Sequence, residues 1–433
     1  MTVEYVVQLA DEKGAELFWN WRKIRATMRA MRFLGLLLLA AVVRAAEPAA
    51  SEGVSAVQGA IGGQLQLLQL PGAPALKWRT EVQPRRRGLV ALTTADGVGT
   101  HVQIETVLDG GNVTWKIVDA KLELPAWESA LAAQLGKAVE GLHFAGNVTV
   151  TGSGTLQGGA VVGEVVIAVK AGRLSNPDAG WALDGITLGG NFAVSSGRDE
   201  VRSTAPLTLT VATITTKRFG ARNLAIHGTL SNVRTLALSS ARVEIAGGDM
   251  AAGATSVSLS PLKFLAEVTI NRIGLQDVAA LVPSALRYGH GRIDGTAQLG
   301  WAEGDFDYGK GHLTLRDDEP AEVTLHPFPG LFTSWMDRRL RWAMHHVPRW
   351  LVRWPGQELE NAELGKTAIE AKSLDVTFSH DLDEQGRSAI VRLEGVTKGP
   401  SRTQVDLSTN VYGPLKPFIR LGTEGEATFS IGK

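Results

Sequence analysis

The fold is decided within residues 264–325, which open on the alternating stretch Glu267-Val268-Thr269-Ile270-Asn271. A short apolar-periodic piece follows at residues 275–281, and then come the glycine-bounded stretch Gly291-Arg292-Ile293-Asp294-Gly295 and two more alternating runs. Successive side chains of a strand point to opposite faces, so alternation places every second residue on one face. The stretch therefore predicts a strand, one short helix and a run of antiparallel strands that share an apolar face.

The apolar face of these strands is the feature on which the function depends. An apolar sheet surface of this size must be covered by protein or occupied by an apolar ligand, because it is unfavourable in water. By period-two spacing the face carries Val268, Ile270, Ile293, Ala297, Leu299, Leu313, Leu315, Val323 and Leu325. The alternating runs near the C-terminus add Val376, Phe378, Leu393, Val405 and Leu407.

The composition indicates a β-rich protein and excludes several functional classes. Glycine contributes 49 of 433 residues and charged residues only 20%, which is typical of many short strands and turns. The net charge is zero, with 44 basic and 44 acidic residues, whereas nucleic-acid binders usually carry a strong basic bias. The chain has no cysteine, which excludes disulfides, thiolate metal sites and cysteine nucleophiles.

The N-terminal part carries an export signal. Arg29 and Arg32 precede an apolar run at residues 33–43, and Arg44-Ala45-Ala46-Glu47-Pro48 follows it. This order predicts a signal peptide at residues 31–46, because the run is too short to span about 30 Å of hydrocarbon as a helix. The alternative is a short, tilted inner-membrane anchor. Residues 1–30 are interpreted as an upstream extension.

The rest of the chain has the same β texture, with glycine or Asn/Asp turns between short alternating runs. Strands are predicted at residues 161–170, 181–193, 207–216, 221–230, 235–245 and 254–259. About twenty strands in one series exceed what a small closed barrel uses, so we expect an elongated, curled antiparallel sheet. We divide it into an N-terminal region at residues 47–260 and a C-terminal region at residues 261–433, which the resemblance given below identifies as β-groove regions.

Local signals add detail to this architecture. The stretch Asp109-Gly110-Gly111-Asn112 predicts a hairpin turn, and a change of alternation phase near Val118 predicts a bulge. Helices are predicted at residues 125–137 and 275–286. The order of strand, helix and glycine-bounded strand recurs around both, which is either a weak internal repeat or a chance recurrence.

A third helix is predicted at residues 331–354, which hold four of the eleven tryptophans and several arginines. Such a Trp- and Arg-rich amphipathic segment has the composition of interfacial membrane helices. The candidate membrane-interface residues are Trp335, Arg338, Arg341, Trp342, Arg349 and Trp350. The alternative is a helix that plugs the end of the sheet and buries its tryptophans in protein.

No sequence motif supports an enzymatic function. The chain has no phosphate-binding loop, no G-x-S-x-G nucleophile elbow and no H-E-x-x-H zinc motif. The acidic run Asp317-Asp318-Glu319 lies in a predicted turn, where solvated carboxylates are far more common than catalytic ones. We therefore predict a non-enzymatic protein without cofactor or metal.

Two sets of glycine and apolar motifs carry a family resemblance. The first is Ile273-Gly274-Leu275-Gln276-Asp277 with the glycine-bounded stretch at 291–295 and Gly311-His312-Leu313. The second is Arg392-Leu393-Glu394-Gly395, ahead of Gly413-Pro414-Leu415. These motifs resemble the YdbH-type family, also called the dicarboxylate-transport domain family, which belongs with the AsmA-like envelope proteins. The resemblance is clearest in the C-terminal part. In the middle of the chain it is limited to the general pattern of short alternating runs separated by glycine turns.

The resemblance implies a β-groove whose apolar lining carries phospholipid acyl chains between the inner and outer membranes of a Gram-negative envelope. On this interpretation the apolar-face residues given above line the groove, the protein is periplasmic, and its partners are membranes and a small outer-membrane lipoprotein. No nucleic acid is expected. About twenty strands spaced about 4.8 Å apart reach roughly 100 Å. The alternative function is a structural or adhesive β-solenoid with a closed core and no lipid ligand.

Overall fold

The computed structural model describes most of the chain between residues 59 and 412. The described residues are 6–7, 59–65, 72–85, 88–109, 111–135, 141–157, 160–178, 180–195, 200–217, 220–259, 261–281, 286–302, 305–333, 346, 355–379 and 387–412. The predicted signal segment at residues 31–46 lies outside these ranges.

The described residues form one large sheet of 23 strands. Its first twelve strands are β1 (Val6–Val7), β2 (Gly59–Leu65), β3 (Leu76–Arg85), β4 (Gly88–Gly97), β5 (Thr100–Asp109), β6 (Asn112–Glu123), β7 (His143–Gln157), β8 (Ala160–Asn176), β9 (Trp181–Ser195), β10 (Glu200–Ser203), β11 (Leu207–Thr215) and β12 (Gly220–Asn232). The others are β13 (Thr235–Ile245), β14 (Gly248–Ala252), β15 (Thr255–Leu259), β16 (Leu262–Gly274), β17 (Leu286–His290), β18 (Arg292–Ala302), β19 (Asp305–Leu315), β20 (Ala321–Leu325), β21 (Ile369–Phe378), β22 (Arg387–Thr397) and β23 (Gln404–Tyr412).

Neighbouring strands of the sheet mostly follow one another along the chain. Strands β2 to β9 form an unbroken antiparallel series, and β9 then pairs with β11, β11 with β12 and β12 with β13. Both β14 and β15 bridge β13 to β16, and the series continues through β18, β19, β21, β22 and β23. Among the strands that the structure describes, only β1 pairs in parallel, with β23. This confirms the predicted curled antiparallel sheet.

Four short helical pieces accompany the described part of the sheet. A 3₁₀ helix at Leu124–Trp127 leads into α1 (Glu128–Leu135), and α2 (Leu275–Leu281) follows β16. The described parts of both confirm predicted helices. Helix α3 (Pro355–Glu363) was not predicted; Pro355 at its start is a signal that could have revealed it, because proline favours the first turn. Most of the helix predicted at 331–354 lies outside the described residues.

The two local signals in the N-terminal region are confirmed. Asp109 pairs with Asn112 across the predicted hairpin turn between β5 and β6. The register between these strands shifts at Val118, because Gln103 faces Asp119 whereas Ile104 faces Ile117. The extra residue keeps Ile117 and Ala120 on the same buried face, which is why the alternation changes phase there.

A line of backbone irregularities crosses the middle of the sheet. The residues on it with positive φ are Gly146 (116°) in β7, Ala171 (51°) in β8, Gly185 (68°) in β9, Asn223 (53°) in β12 and Arg272 (57°) in β16. The register between neighbouring strands shifts at each of these residues. A bulge bends its strand, so bulges aligned across neighbouring strands fold the sheet along a line. We call this line the crease.

The described core consists mainly of two clusters at opposite ends of the sheet. The N-terminal cluster contains Val102, Ile104, Trp115, Ile117, Ala120, Leu122, Trp127, Ala130, Val148, Val150, Val161 and Val165. The C-terminal cluster contains Ile273, Leu275, Ile293, Leu315, Ala321, Val323, Leu325, Phe332, Ala362, Ile369, Ala371, Leu393, Val405 and Leu407. The sheet continues without a break past residue 260, where β15 pairs with β16; the division into two regions stays a prediction.

Candidate functional site

An unbroken row of apolar residues and one glycine crosses the sheet from β6 to β23. Each member is the register partner of the next. In order from β6 to β23, the row is Leu122, Val148, Val169, Leu188, Leu209, Ile226, Ala241, Ala252, Val268, Ala297, Gly311, Phe378, Ala389 and Val411. With adjacent strands about 4.8 Å apart, these fourteen strands give a path of about 60 Å along the backbone.

The row lies on one face because the strands alternate. In β11, Leu207, Leu209 and Val211 share the face of the row, while Thr208 and Thr210 point the other way. In the hairpin of β13 and β14 the opposite face carries charges, as in the ion pair of Arg242 with Asp249, whose nitrogen and oxygen atoms are 3.3 Å apart. The two faces of the middle strands are therefore chemically segregated, apolar on one side and polar on the other.

The crease runs beside the row and gives it a second wall. At each bulge the alternation shifts by one, so residues three apart stay on the same face, as Ile270 and Ile273 do in β16. Beyond the crease a second apolar line follows the same face through register partners. Its members are Phe144, Leu174, Leu183, Ile214, Ala221 and Ile245. Two apolar walls that meet along a fold form a groove.

Burial along the row divides it into three parts. Leu122 and Val148 at its start are 3% and 6% exposed, and Val268 and Ala297 towards its end are 7% and 3% exposed. The six members between them, from β8 to β14, are all partly exposed. We call these six the open segment: Val169, Leu188, Leu209, Ile226, Ala241 and Ala252.

The N-terminal end of the groove is filled by a tryptophan that rests on glycines. Trp115 is 3% exposed, and a Cβ built at Gly154 or at Gly163 would lie 2.7 or 2.5 Å from its Cζ2 atom. These two glycines face each other in β7 and β8, so no side chain separates the indole from the strand backbones. The indole Nε1 of Trp127 donates to the hydroxyl of Thr100 over 2.9 Å, which fixes the 3₁₀ helix on the same cluster.

The C-terminal end is closed by an aromatic ring and by a clamped loop. The ring of Phe378 covers Gly311, where a built Cβ would lie 2.0 Å from its Cζ atom. The buried carboxylate of Glu363 in α3 accepts hydrogen bonds from the backbone N–H groups of Phe332 and Thr333, over 2.8 and 3.1 Å, and from the Thr333 hydroxyl over 2.7 Å. The clamp holds Phe332 in the C-terminal cluster.

The predicted lining residues lie at the C-terminal end of this face. Val268 and Phe378 belong to the row itself, and Leu299 is the register partner of Ala266. The next line of register partners contains Ile270, Leu313 and Val376. The others lie buried in the C-terminal cluster: Ile293, Leu315, Val323, Leu325, Leu393, Val405 and Leu407. The predicted shared face is thus present, whereas lipid contact at these residues stays a prediction.

The open segment was missed as a site, although its sequence signal was visible. The alternation of Leu207, Leu209 and Val211 with threonines identifies a one-sided strand. Sequence alone does not show which apolar faces receive a cover, so these residues could not be distinguished from core. The predicted membrane-interface residues between 335 and 350 lie outside the described residues.

The charged residues at the rim form paired networks. Arg316 donates to Asp294 over 2.6 Å and to both oxygens of Asp318 over 2.6 and 2.9 Å. These hydrogen bonds lower the pKa of the Asp318 carboxyl and raise the pKa of Arg316. Arg292 joins this network through Glu319 and the carbonyl of Gly247. The network ties the loops after β13 and β19 to the first residues of β18 at one rim of the groove.

Within the described ranges, no group of three or more His, Asp or Glu side chains could hold a metal ion. In the same part of the chain, no helix has the length and apolar character to cross a bilayer.

Comparisons with known proteins give one match. The sequence profile of the YdbH-like family, intermembrane phospholipid transport protein YdbH, matches residues 31–314, well over half of the chain. The match covers the open segment and the N-terminal cluster, and the second set of resembling motifs, near residues 392–415, lies beyond its end. No curated protein and no solved structure matches the chain.

Proposed function

Because the chain belongs to the YdbH-like family of intermembrane phospholipid transport proteins, we propose that it conducts phospholipids between two membranes with their acyl chains in the apolar groove. The single observation that supports this most is the row, in which thirteen of fourteen neighbouring strands each place an apolar side chain and the other places Gly311. Neither a cofactor nor a covalent step is needed, since transfer changes only the surroundings of the lipid.

The energetics of an acyl chain agree with this proposal. Each methylene removed from water contributes about 0.8 kcal/mol, so a chain lying along leucine and valine side chains is held without any specific polar contact. Around Leu209 the strands β9, β11 and β12 pair in regular register, so the backbone N–H and C=O groups there are already paired and would not trap a lipid at one position. Such a surface binds a lipid strongly enough to remove its acyl chains from water. Because the binding is similar at every position, the lipid can still move along the groove.

Location and partners extend the proposal beyond the described residues. Export by the segment at 31–46 would place the groove in the periplasm, where a small outer-membrane lipoprotein could complete the path. A fusion of residues 28–60 to a reporter active only in the periplasm should give activity. Activity of a cytoplasmic reporter alone would exclude this location.

The Trp- and Arg-rich segment is proposed as the contact with a membrane surface. Arginines near anionic headgroups contribute about 1 kcal/mol each, while tryptophans favour the interface. Tryptophan fluorescence should shift to shorter wavelength with anionic vesicles, and Arg338→Glu combined with Arg341→Glu should weaken binding. Unchanged fluorescence would favour the alternative in which this segment plugs the sheet.

The lipid-binding proposal is tested on protein that is purified without detergent. Native mass spectrometry should show bound phospholipid on the wild type and much less on Leu188→Arg, which places a charge in the row. The matched control is Thr187→Arg, one residue earlier on the opposite face, which should keep its lipid. Lipid-free wild type would support the β-solenoid alternative, in which the apolar face is only a core.

A further inference from the structure

We infer that the groove contains one lipid-sized compartment, the open segment. Both ends of this compartment are closed by protein as long as no lipid is entering or leaving it. This inference rests on the proposed function and assigns the bound acyl chains to Val169, Leu188, Leu209, Ile226, Ala241 and Ala252. These residues differ from the C-terminal lining predicted from the sequence. The occupant is a single diacyl phospholipid.

The length of the open segment supports one bound lipid rather than several lipids arranged end to end. Its six strands are separated by five steps of about 4.8 Å, which gives about 24 Å along the row. One leaflet of a bilayer occupies about half of the 30 Å hydrocarbon core, so an acyl chain needs about 15 Å. The segment therefore accommodates the full length of one lipid's chains, and two lipids end to end would exceed it.

Burial at both ends supports the boundaries. On the N-terminal side, Val148 packs in the same cluster as Trp127 and Ala130, so the row continues under the 3₁₀ helix and α1. On the C-terminal side, Val268 and Ala297 are buried, and the ring of Phe378 covers Gly311 further along. An acyl chain cannot lie on side chains that are already covered. A lipid that leaves the open segment in either direction must therefore displace protein.

The chemistry of the open segment supports acyl chains as its occupant. All six members are aliphatic, and Leu207 and Val243 extend the same face on neighbouring positions, whereas Val211 beside Leu209 is already buried, at 3% exposed. An aliphatic surface has no hydrogen-bonding groups with which to bind a sugar, a nucleotide or a metal ion, whereas a hydrocarbon chain binds through apolar contact alone. The headgroup is expected to stay in water at the rim.

The absence of cysteine from the chain allows a direct test with single cysteines. Leu188→Cys probes the open segment, Ala297→Cys probes the closed C-terminal end, and Thr187→Cys is the matched control on the opposite face. Each variant is treated with a maleimide before and after loading from dioleoyl phosphatidylethanolamine vesicles, and native mass spectrometry counts the lipids bound. Ala→Cys adds a single sulfur, and the folding of each variant is checked by circular dichroism.

We expect Leu188→Cys to react when lipid-free and to react at least tenfold more slowly when loaded with one lipid. Thr187→Cys should react equally in both states, and Ala297→Cys should stay unreactive in both. If Ala297→Cys reacts and lipid protects it, or if several lipids bind, the groove is continuous and the compartment is refuted while lipid transport stands. If no lipid loads at all, the proposed function itself fails. Should Ala297→Cys not fold, Val148→Cys applies the same test at the other end.

Discussion

The C-terminal cluster and the open segment belong to one apolar face and differ in what covers them. Helix α2 packs on β16 and β17, and α3 packs on β20 and β22, so Leu275 and Ala362 are almost fully buried between helix and sheet. The open segment lies on β8 to β14, and its side chains are partly exposed. Alternation therefore specifies an apolar face, whereas the helices decide which part of that face is core and which part is groove.

The largest expected difference between the two regions is their tolerance of a buried charge. Leu315→Asp places an unpaired carboxylate in the C-terminal cluster and should cost about 4 kcal/mol or more, enough to prevent folding. Leu209→Asp places the same group in the open segment, where it reaches water, and should cost about 1 kcal/mol while abolishing lipid binding. Urea unfolding and native mass spectrometry measure both effects. Equal destabilisation by the two substitutions would remove the distinction between core and groove.

The sequence predicts the shared face well and the division of that face poorly. The alternation of Val268, Ile293 and Leu315 with polar neighbours correctly places them on one face, because strand geometry depends only on local periodicity. Leu315 is buried in the cluster that also contains Ala362 of α3, a helix that starts 40 residues later in the chain. Such a long-range contact leaves no local pattern.

The crease shows a second limit of prediction from local pattern. The bulge at Val118 could be predicted, because bulky apolar residues on both sides change phase around it. The crease residues Ala171 and Asn223 were not recognised, since small and polar residues around them hide the shift of phase. The long alternating strands were predicted, while the line that folds them into a groove was found only in the structure.

The next largest effect concerns the glycine pair beneath Trp115. Gly154→Ala would place a Cβ 2.7 Å from the indole and 2.1 Å from the carbonyl oxygen of Val162, so strand and ring must both move. We expect a loss of about 2–3 kcal/mol in the free energy of unfolding, as for other overpacked cores. Denaturant titration followed by tryptophan fluorescence measures this loss.

The control for this substitution lies in the open part of the same sheet. A Cβ built at Gly189 meets nothing within 4 Å, so Gly189→Ala should be neutral or stabilise the protein by up to about 1 kcal/mol. If Gly189→Ala is as harmful as Gly154→Ala, the middle of the sheet is packed as tightly as the N-terminal cluster, and the comparison fails.

A smaller effect is expected where Glu363 closes the C-terminal cluster. Glu363→Gln keeps the shape but removes the charge from three hydrogen bonds to Phe332 and Thr333, and should cost about 2 kcal/mol. Thr333→Val removes only one of these bonds and should cost about 1 kcal/mol. Thermal unfolding of both variants gives the order. A Glu363→Gln variant with wild-type stability would show that the clamp does not hold the cover in place.

The smallest expected effect tests the crease itself, through two alanines of the same strand. Ala171 has φ near 51°, a conformation that costs a residue with a Cβ about 1–2 kcal/mol, whereas glycine adopts it freely. Ala171→Gly also increases the chain entropy of the unfolded state, which costs about 0.5–1 kcal/mol, so the net change should lie between neutral and about 1.5 kcal/mol of stabilisation.

Ala168 lies three residues earlier in β8, in regular pairing with Thr149 and Gly189, so Ala168→Gly gains no relief of strain. It should lose about 1 kcal/mol from chain entropy alone. The expected difference of about 1–2 kcal/mol between two identical substitutions is measurable by paired urea titrations. Because it depends only on the backbone conformation at residue 171, an equal loss in both variants would mean that β8 runs straight there, and a straight β8 would leave the groove without its second wall.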